Sequence, residues 1–329
     1  MPLLTTFRQE KCVILTVTPN AAVDKTYRVE RFELDRVNRP SASFTVAGGK
    51  GINVARVYQT LGGKAVATGF LGGINGSIVS AALAAEQIES GFVQVEGESR
   101  VCIAIIDPTT GTQTEVNESG PTVSPINTHD LIDTVERLIS ERAFDYLVLC
   151  GSLPPGVSSS LYADLISRTK PTGIKTVLDT SGEPLALGVA AKPWMVKPNQ
   201  AEMESLVGGS VAGMEALRSA ISDLHLAGVE VVVATRGAQG AVASGMNQVW
   251  EAVPPEIEFA SAVASGDSFA AAFLWQLRKN ETVSERSIES ALRLATGAGA
   301  ANAAVVGAGF CTRQAIRQAA QGTQLRRLA

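Results

Sequence analysis

Histidine is almost missing from this chain: of 329 residues, only His129 and His225 carry an imidazole. Both fall in segments with helical apolar spacing, and neither stands near an HExxH or HxE pattern. Each reads as a surface or helix-packing side chain, so acid–base chemistry would fall to a carboxylate. Cysteine is scarce as well. Cys12, Cys102, Cys150 and Cys311 form no CxxC pair, and three of them sit in apolar runs where a thiol behaves as a small hydrophobe. That speaks against a disulfide framework or a structural zinc site. A basic excess is also lacking, since 28 Lys and Arg face 32 Asp and Glu for a formal net charge of −4. General nucleic-acid binding rests on phosphate neutralisation and is not expected. No apolar run is long enough to cross a bilayer, so no membrane partner is expected. The opening MPLLTTFRQEK is too short and too quickly charged for a secretory signal, which points to the cytoplasm.

What is present is an alternation of apolar strands and amphipathic helices. Hydrophobic residues make up 45% of the chain and charged residues 18%, a globular composition. CVILTV (12–17), KAVATGF (64–70), DYLVLCG (145–151), IKTVLDT (174–180), MVKPN (195–199) and VEVVVAT (229–235) read as buried strands. Between them, INVARVYQTLG (52–62), GSIVSAALAAEQI (76–88), SLYADLISRTK (160–170) and MEALRSAISDLHLAG (214–228) carry helical spacing. Strands and helices in this rhythm predict a three-layer α/β fold, with a mostly parallel central sheet flanked by helices. The Ala- and Gly-rich stretch from Ser265 to Ala304 predicts closely packed helices. Two stretches break the rhythm. Residues 24–46 and 92–118 are polar, β-branched and alternate with period two, and PTTGT supplies a hairpin turn. They predict a small separate sheet, a lid within a single domain spanning residues 1–329.

Four segments could carry chemistry. AGGKGINVA (47–55) puts three glycines around Lys50 just before a helix, which lets the main chain approach a ligand. It is no Walker A loop, because Phe44 and Gly51 stand where Gly and Ser or Thr are needed. SAVASGDSFAAAFL (261–274) leads small residues into an apolar helix with Asp267 in its first turn. Asp267 is either a capping carboxylate or a base beside an amide-lined anion site, a pairing suited to phosphoryl transfer. In VKPNQAEME (196–204), Asn199 and Glu202 share a helix face at i and i+3. They form either a cap or part of a Mg²⁺ water shell. VVVATRGAQGA (231–241) is an apolar strand ending in Thr235 and two glycines, a plausible wall for a nucleotide.

Together these pieces resemble the PfkB (ribokinase-like) family of sugar kinases, in the family's order and over nearly the whole chain. The matching motifs are TPNAAVDKT (18–26), AGGKGINVARVYQTLGG (47–63), TEVNESGP (114–121), CGSLPPGV (150–157), LDTSGEPL (178–185), VKPNQAEM (196–203), ATRGAQGA (234–241) and ASGDSFAAAFL (264–274). NVA, NESGP and DTSGEPL are most similar to the branch acting on phosphorylated ketohexoses. The resemblance implies ATP and Mg²⁺, a small-molecule sugar phosphate as substrate, and fructose 1-phosphate conversion to the 1,6-bisphosphate as the first expectation. Tagatose-6-phosphate kinase and 6-phosphofructokinase are alternatives; a non-catalytic sugar-phosphate sensor is a more distant one.

The resemblance also implies roles. Asp267 is the base, with amides of Ala264, Ser265, Gly266 and Asp267 as the anion hole. Asp24 and Asn53, with the Gly48–Gly49 backbone, bind sugar hydroxyls. Arg100 holds the substrate's own phosphate, with Arg39 and Lys50 as helpers. Lys197 approaches the ATP phosphates, Asn199 and Glu202 organise Mg²⁺, and Thr235, Gly237 and Gly240 line the nucleotide. In relatives the lid can mediate dimerisation. Two departures stand out. Ser261-Ala262 replaces an Asn or Asp followed by Ser or Thr, which removes a hydroxyl from a possible monovalent-cation site. Ala264 replaces the usual Gly, so its backbone is expected to avoid positive φ.

Overall fold

The computed structural model describes residues 13–245, 248–278 and 284–328. The opening segment and Cys12 lie outside the described residues. Because side chains alternate between the faces of a strand, an apolar run feeds two cores at once. Tyr146, Val148 and Cys150 join Ile14 in one cluster, whereas Leu147 and Leu149 join Leu15 and Val17 in the other. Among the described residues, five helices cover each face of the sheet, which gives the three layers read from the sequence.

Val13–Thr18 lies in the sheet interior, parallel to Lys64–Leu71 on one side and to Tyr146–Cys150 on the other. Beyond Tyr146–Cys150 follow Lys175–Asp179, Met195–Val196 and Val231–Thr235, all parallel. Three antiparallel strands, Ala241–Gly245, Gln248–Val253 and Gln324–Leu328, extend that edge. The strand expected over 195–199 is only Met195–Val196, because Pro198 offers no N–H to a ladder. Helices Ser265–Leu277 and Glu285–Ala303 pack closely through alanines such as Ala271, Ala295 and Ala298, all fully buried. Among the described residues no helix is long and apolar enough to cross a membrane.

The second sheet has four strands in the order Ala42–Gly48, Ala22–Arg28, Arg100–Asp107 and Thr112–Asn117. The expected lid segments need one correction. Val93–Gln94 pairs with the Phe70–Leu71 end of the main sheet, so the lid portion of 92–118 begins at Arg100. The PTTGT turn is present, with Gly111 at φ +68.

Candidate active site

The loops leaving the carboxyl ends of the parallel strands line a cleft of about 1300 Å³ beneath the small sheet. Of the residues singled out from the sequence, all but Gly48, Arg39 and Glu202 line it. Gly48 acts from behind: a Cβ there would stand 2.1 Å from Asp24 Cγ, so only glycine leaves that carboxylate its place. Arg39 is exposed in the loop between the first two lid strands and does not reach the cleft. The helix after the glycine turn runs Lys50–Thr60, two residues ahead of the expected start. Gly49 caps it at φ +111, where a Cβ would stand 2.7 Å from Thr18 Cγ2.

At the far side of the cleft, helix Ser265–Leu277 starts from Ala264 at φ +61, ψ +11. The expectation that Ala264 avoids positive φ is therefore wrong. The chain needs a left-handed residue here to swing from Val263 into the helix, at a strain of about 1–2 kcal/mol. Asn302, fully buried, braces the turn by donating to Val263 O at 2.7 Å and Ser265 Oγ at 3.2 Å. The expected anion hole also narrows. The Ser265 N–H bonds back to Ala262 O at 3.2 Å, which leaves Gly266 and Asp267 as first-turn amides without a helical partner.

Asp267 is buried, and its Oδ2 accepts from Asn53 Nδ2 at 2.9 Å. Burial pushes its carboxyl above the ordinary range; Lys50 opposes this, Asp179 adds to it, and the Asn53 hydrogen bond and Lys197 oppose it. Asp179 went unassigned in the sequence, yet it organises both lysines. Its Oδ1 meets Lys50 Nζ at 2.7 Å and its Oδ2 meets Lys197 Nζ at 2.9 Å. Burial alone would raise the Asp179 pKa, but Lys197 and Lys50 together hold it below the usual carboxylate value. Burial alone would lower Lys50, yet Asp179 keeps that ammonium above its usual value. Lys197 also lies against the helix tip, since a Cβ on Gly266 would stand 3.6 Å from its Nζ.

The lid contributes Asp24 and Arg100 from adjacent parallel strands. Burial, partly opposed by Arg100, pushes the Asp24 pKa up to about 6. Arg100 donates from Nε to Asn20 O at 3.1 Å. It also borders a second cavity of about 420 Å³, beside Asn20, Ser119 and Ser152. The lid touches the body at Gln113, whose Oε1 accepts from Ser261 Oγ at 3.2 Å and Ala262 N at 3.3 Å.

Part of the cleft lining is apolar. Thr235, Gly237 and Gly240 stand there with Pro254, Ile257, Phe259 and Ala303, and the 254–259 segment was not foreseen. Gly240, at φ +89, tolerates no side chain because a Cβ would stand 1.9 Å from Ala252 O. Asn199 and Glu202 form a reciprocal capping box. Asn199 Oδ1 accepts from Glu202 N at 2.9 Å, and Glu202 Oε2 accepts from Asn199 N at 2.8 Å. The histidines take the bland roles read for them. His129 is exposed, and His225 bridges Val229 O and Ser244 Oγ, each at 2.8 Å.

Arg56 and Asn302 also escaped the sequence reading. A charged residue inside an otherwise apolar helical run, or an aspartate closing a buried strand as Asp179 does, was the available signal.

The comparisons agree with this architecture. A 1-phosphofructokinase of Rhodobacter capsulatus is 36% identical over 261 residues, covering 79% of this chain and 82% of the relative. A tagatose-6-phosphate kinase of Staphylococcus epidermidis strain RP62A is 36% identical over 276 residues, covering 83% and 88%. The structure of phosphofructokinase-2 from Escherichia coli in complex with substrates and products superposes with a TM-score of 0.86 at 28% identity, covering 94% of this chain and 98% of that one. The model of the pfkB family carbohydrate kinases matches residues 17–315. With a buried carboxylate, a helix tip bearing free amides and paired lysines gathered in one cleft beneath the small sheet, the chain belongs to the pfkB family of carbohydrate kinases, enzymes that phosphorylate sugars with ATP.

Proposed function

We propose that this kinase phosphorylates a ketohexose phosphate at its free primary hydroxyl, and that fructose 1-phosphate is its substrate, yielding fructose 1,6-bisphosphate. One observation carries the reading: a buried aspartate at a helix tip, with free amides and two lysines beside it, faces a lid that presents Asp24 and Arg100. The sugar lies under the lid, its hydroxyls held by Asp24. The Arg100 fork holds the phosphate it already carries. ATP lies along Thr235, Gly237 and Gly240, with its base against Ile257 and Phe259 and its γ-phosphate at the helix tip. Asp267 takes the hydroxyl proton as the oxygen attacks phosphorus in line. The amides of Gly266 and Asp267, with the Lys197 and Lys50 ammonium groups, stabilise the charge on the moving phosphoryl group. Closure of the lid onto Ser261 keeps water from acting as acceptor.

The donor set fits a magnesium ion carried in on the triphosphate. Asn199 Oδ1 and Glu202 Oε2 are engaged in the cap, and Glu202 Oε1 stays available to a water of the ion's shell. Among the described residues no group of three acidic, His or Cys side chains could hold a bare ion. Magnesium would supply neutralisation of the phosphate oxygens.

Such substrates place the enzyme in the cytoplasm. Its lid supports a homodimer, because register puts Tyr27, Ile105 and Val116 on one face of the small sheet, and none of the three lines the cleft.

A coupled ADP-release assay with fructose 1-phosphate, fructose 6-phosphate and tagatose 6-phosphate tests the reading. The expected result is the highest kcat/KM with fructose 1-phosphate. Arg100→Ala is expected to raise its KM about tenfold or more with kcat little changed. No ADP release with any of the three would leave a sugar-phosphate sensor, and an Arg100→Ala variant with unchanged KM would point to a neutral sugar.

A further inference from the structure

The resemblance assigns Asn53 to sugar hydroxyls, yet its amide is already engaged at both ends. Behind it, Arg56 is buried in the same helix and lines no part of the cleft. Its Nε donates to Glu86 Oε2 at 2.6 Å and its Nη2 to Glu86 Oε1 at 3.0 Å. Nη2 also donates to Ala47 O at 2.8 Å, while Nη1 donates to Ala308 O at 2.8 Å and to Asn53 Oδ1 at 2.9 Å. A guanidinium has five N–H donors, and here all five are used. The Phe310 ring lies 4.7 Å from the guanidinium carbon, so the group is held on its face as well.

This saturation decides which way Asn53 points. An amide can turn either its oxygen or its NH₂ toward a neighbour, but a guanidinium only donates. The oxygen must face Arg56, and the NH₂ is left to face Asp267 Oδ2 at 2.9 Å. A second path leaves the same guanidinium. The residue after Ala308, Gly309, donates to Asn302 Oδ1 at 2.9 Å, and the Asn302 amide braces Val263 and Ser265.

We infer that Arg56, anchored by Glu86, is a positioning residue for phosphoryl transfer. It fixes the Asn53 amide so that one carboxylate oxygen of Asp267 is pinned and the other is left to receive the hydroxyl proton. The inference rests on Asp267 being the base. Neither Arg56 nor Glu86 lines the cleft, so their effect falls on the geometry of the transfer step. Misplacement of a reacting group by about 1 Å can lower a rate about a hundredfold.

The test is steady-state kinetics across pH for Arg56→Lys and Glu86→Gln, with the folded fraction of each taken from thermal melts. Arg56→Lys keeps the charge but cannot make the fork, and kcat per folded molecule is expected to fall about tenfold or more. KM for sugar and for ATP is expected to stay within about twofold. Glu86→Gln, partly exposed and close to isosteric, is expected to lose about threefold, and it carries the test if Arg56→Lys does not fold. In both variants the acid limb of kcat is expected to move up by about half a unit, because the bond favouring the carboxylate is no longer held. The other charged groups facing Asp267 (Lys50, Lys197, Asp179 and Asp24) are the same in variant and parent.

Unchanged kcat, or a loss that matches the unfolded fraction with the acid limb in place, would overturn the inference. The Asp267→Asn variant separates the two claims. If it is inactive while Arg56→Lys is normal, the base stands and the positioning role falls. If Asp267→Asn turns over normally, both fall.

Discussion

Asp24 and Ala264 each hold an unfavourable state that the site uses. Ala264 accepts a left-handed backbone, which frees the Gly266 and Asp267 amides. Asp24 accepts burial beside a second carboxyl at Asp267, so its pKa rises from 3.8 to about 6. A carboxyl whose folded pKa exceeds its unfolded value stabilises the fold at acid pH, and that contribution is lost as pH rises through about 6. Asp24→Asn is therefore expected to melt above the parent at pH 8, and the gap is expected to close toward pH 4. The parent's KM for sugar should rise as pH falls below about 6, when the acceptor is protonated. A variant that melts below the parent at pH 8 would contradict this. At this scale Asp267 and Lys50 were legible from the small residues around them at helix starts, and Asp24 from the family resemblance alone. Asp179 and Arg56 were not, since their meaning comes from partners 129 and 30 positions away, Lys50 and Glu86.

The register of the lid strands gives that element two faces. Asp24, Cys102 and Asn117 sit side by side over the cleft, whereas Tyr27, Ile105 and Val116 alternate with that row and do not line it. Half-buried Tyr27 and Ile105 and an exposed Val116 suit a second copy of this chain. Light scattering is expected to give a dimer for the parent and a monomer for Ile105→Asp. A monomeric parent at micromolar concentration would remove this contact. The core strands were readable as short apolar runs, because burial on both faces leaves no polar alternation. The edge was not. Gln324–Leu328 carries Arg326 and Arg327, and charges on an edge strand erase the apolar signature by which strands are found. Val93–Gln94 was misread into the lid because a two-residue strand has no period of its own.

At the scale of the whole molecule, two cores on opposite faces of one sheet set the strand ends in a common row. That row brings Lys197 and Thr235 into the lining of the site, with Thr18, Cys150 and Asp179 behind its glycine turn and lysines. The small sheet lines the cleft through Asp24, Arg100 and Cys102, and Pro254, Ile257 and Phe259 add an apolar part to its lining. Two cations sharing Asp179 leave positive charge beside the helix tip, where a triphosphate would end. Everything in this arrangement converges on Asp267. The decisive measurement is the turnover of Asp267→Asn on the preferred sugar phosphate, with sugar binding followed by calorimetry on the same preparation. The expected result is a kcat lower by about a thousandfold with sugar affinity nearly intact. A kcat within about tenfold of the parent would show that this carboxylate is not the base.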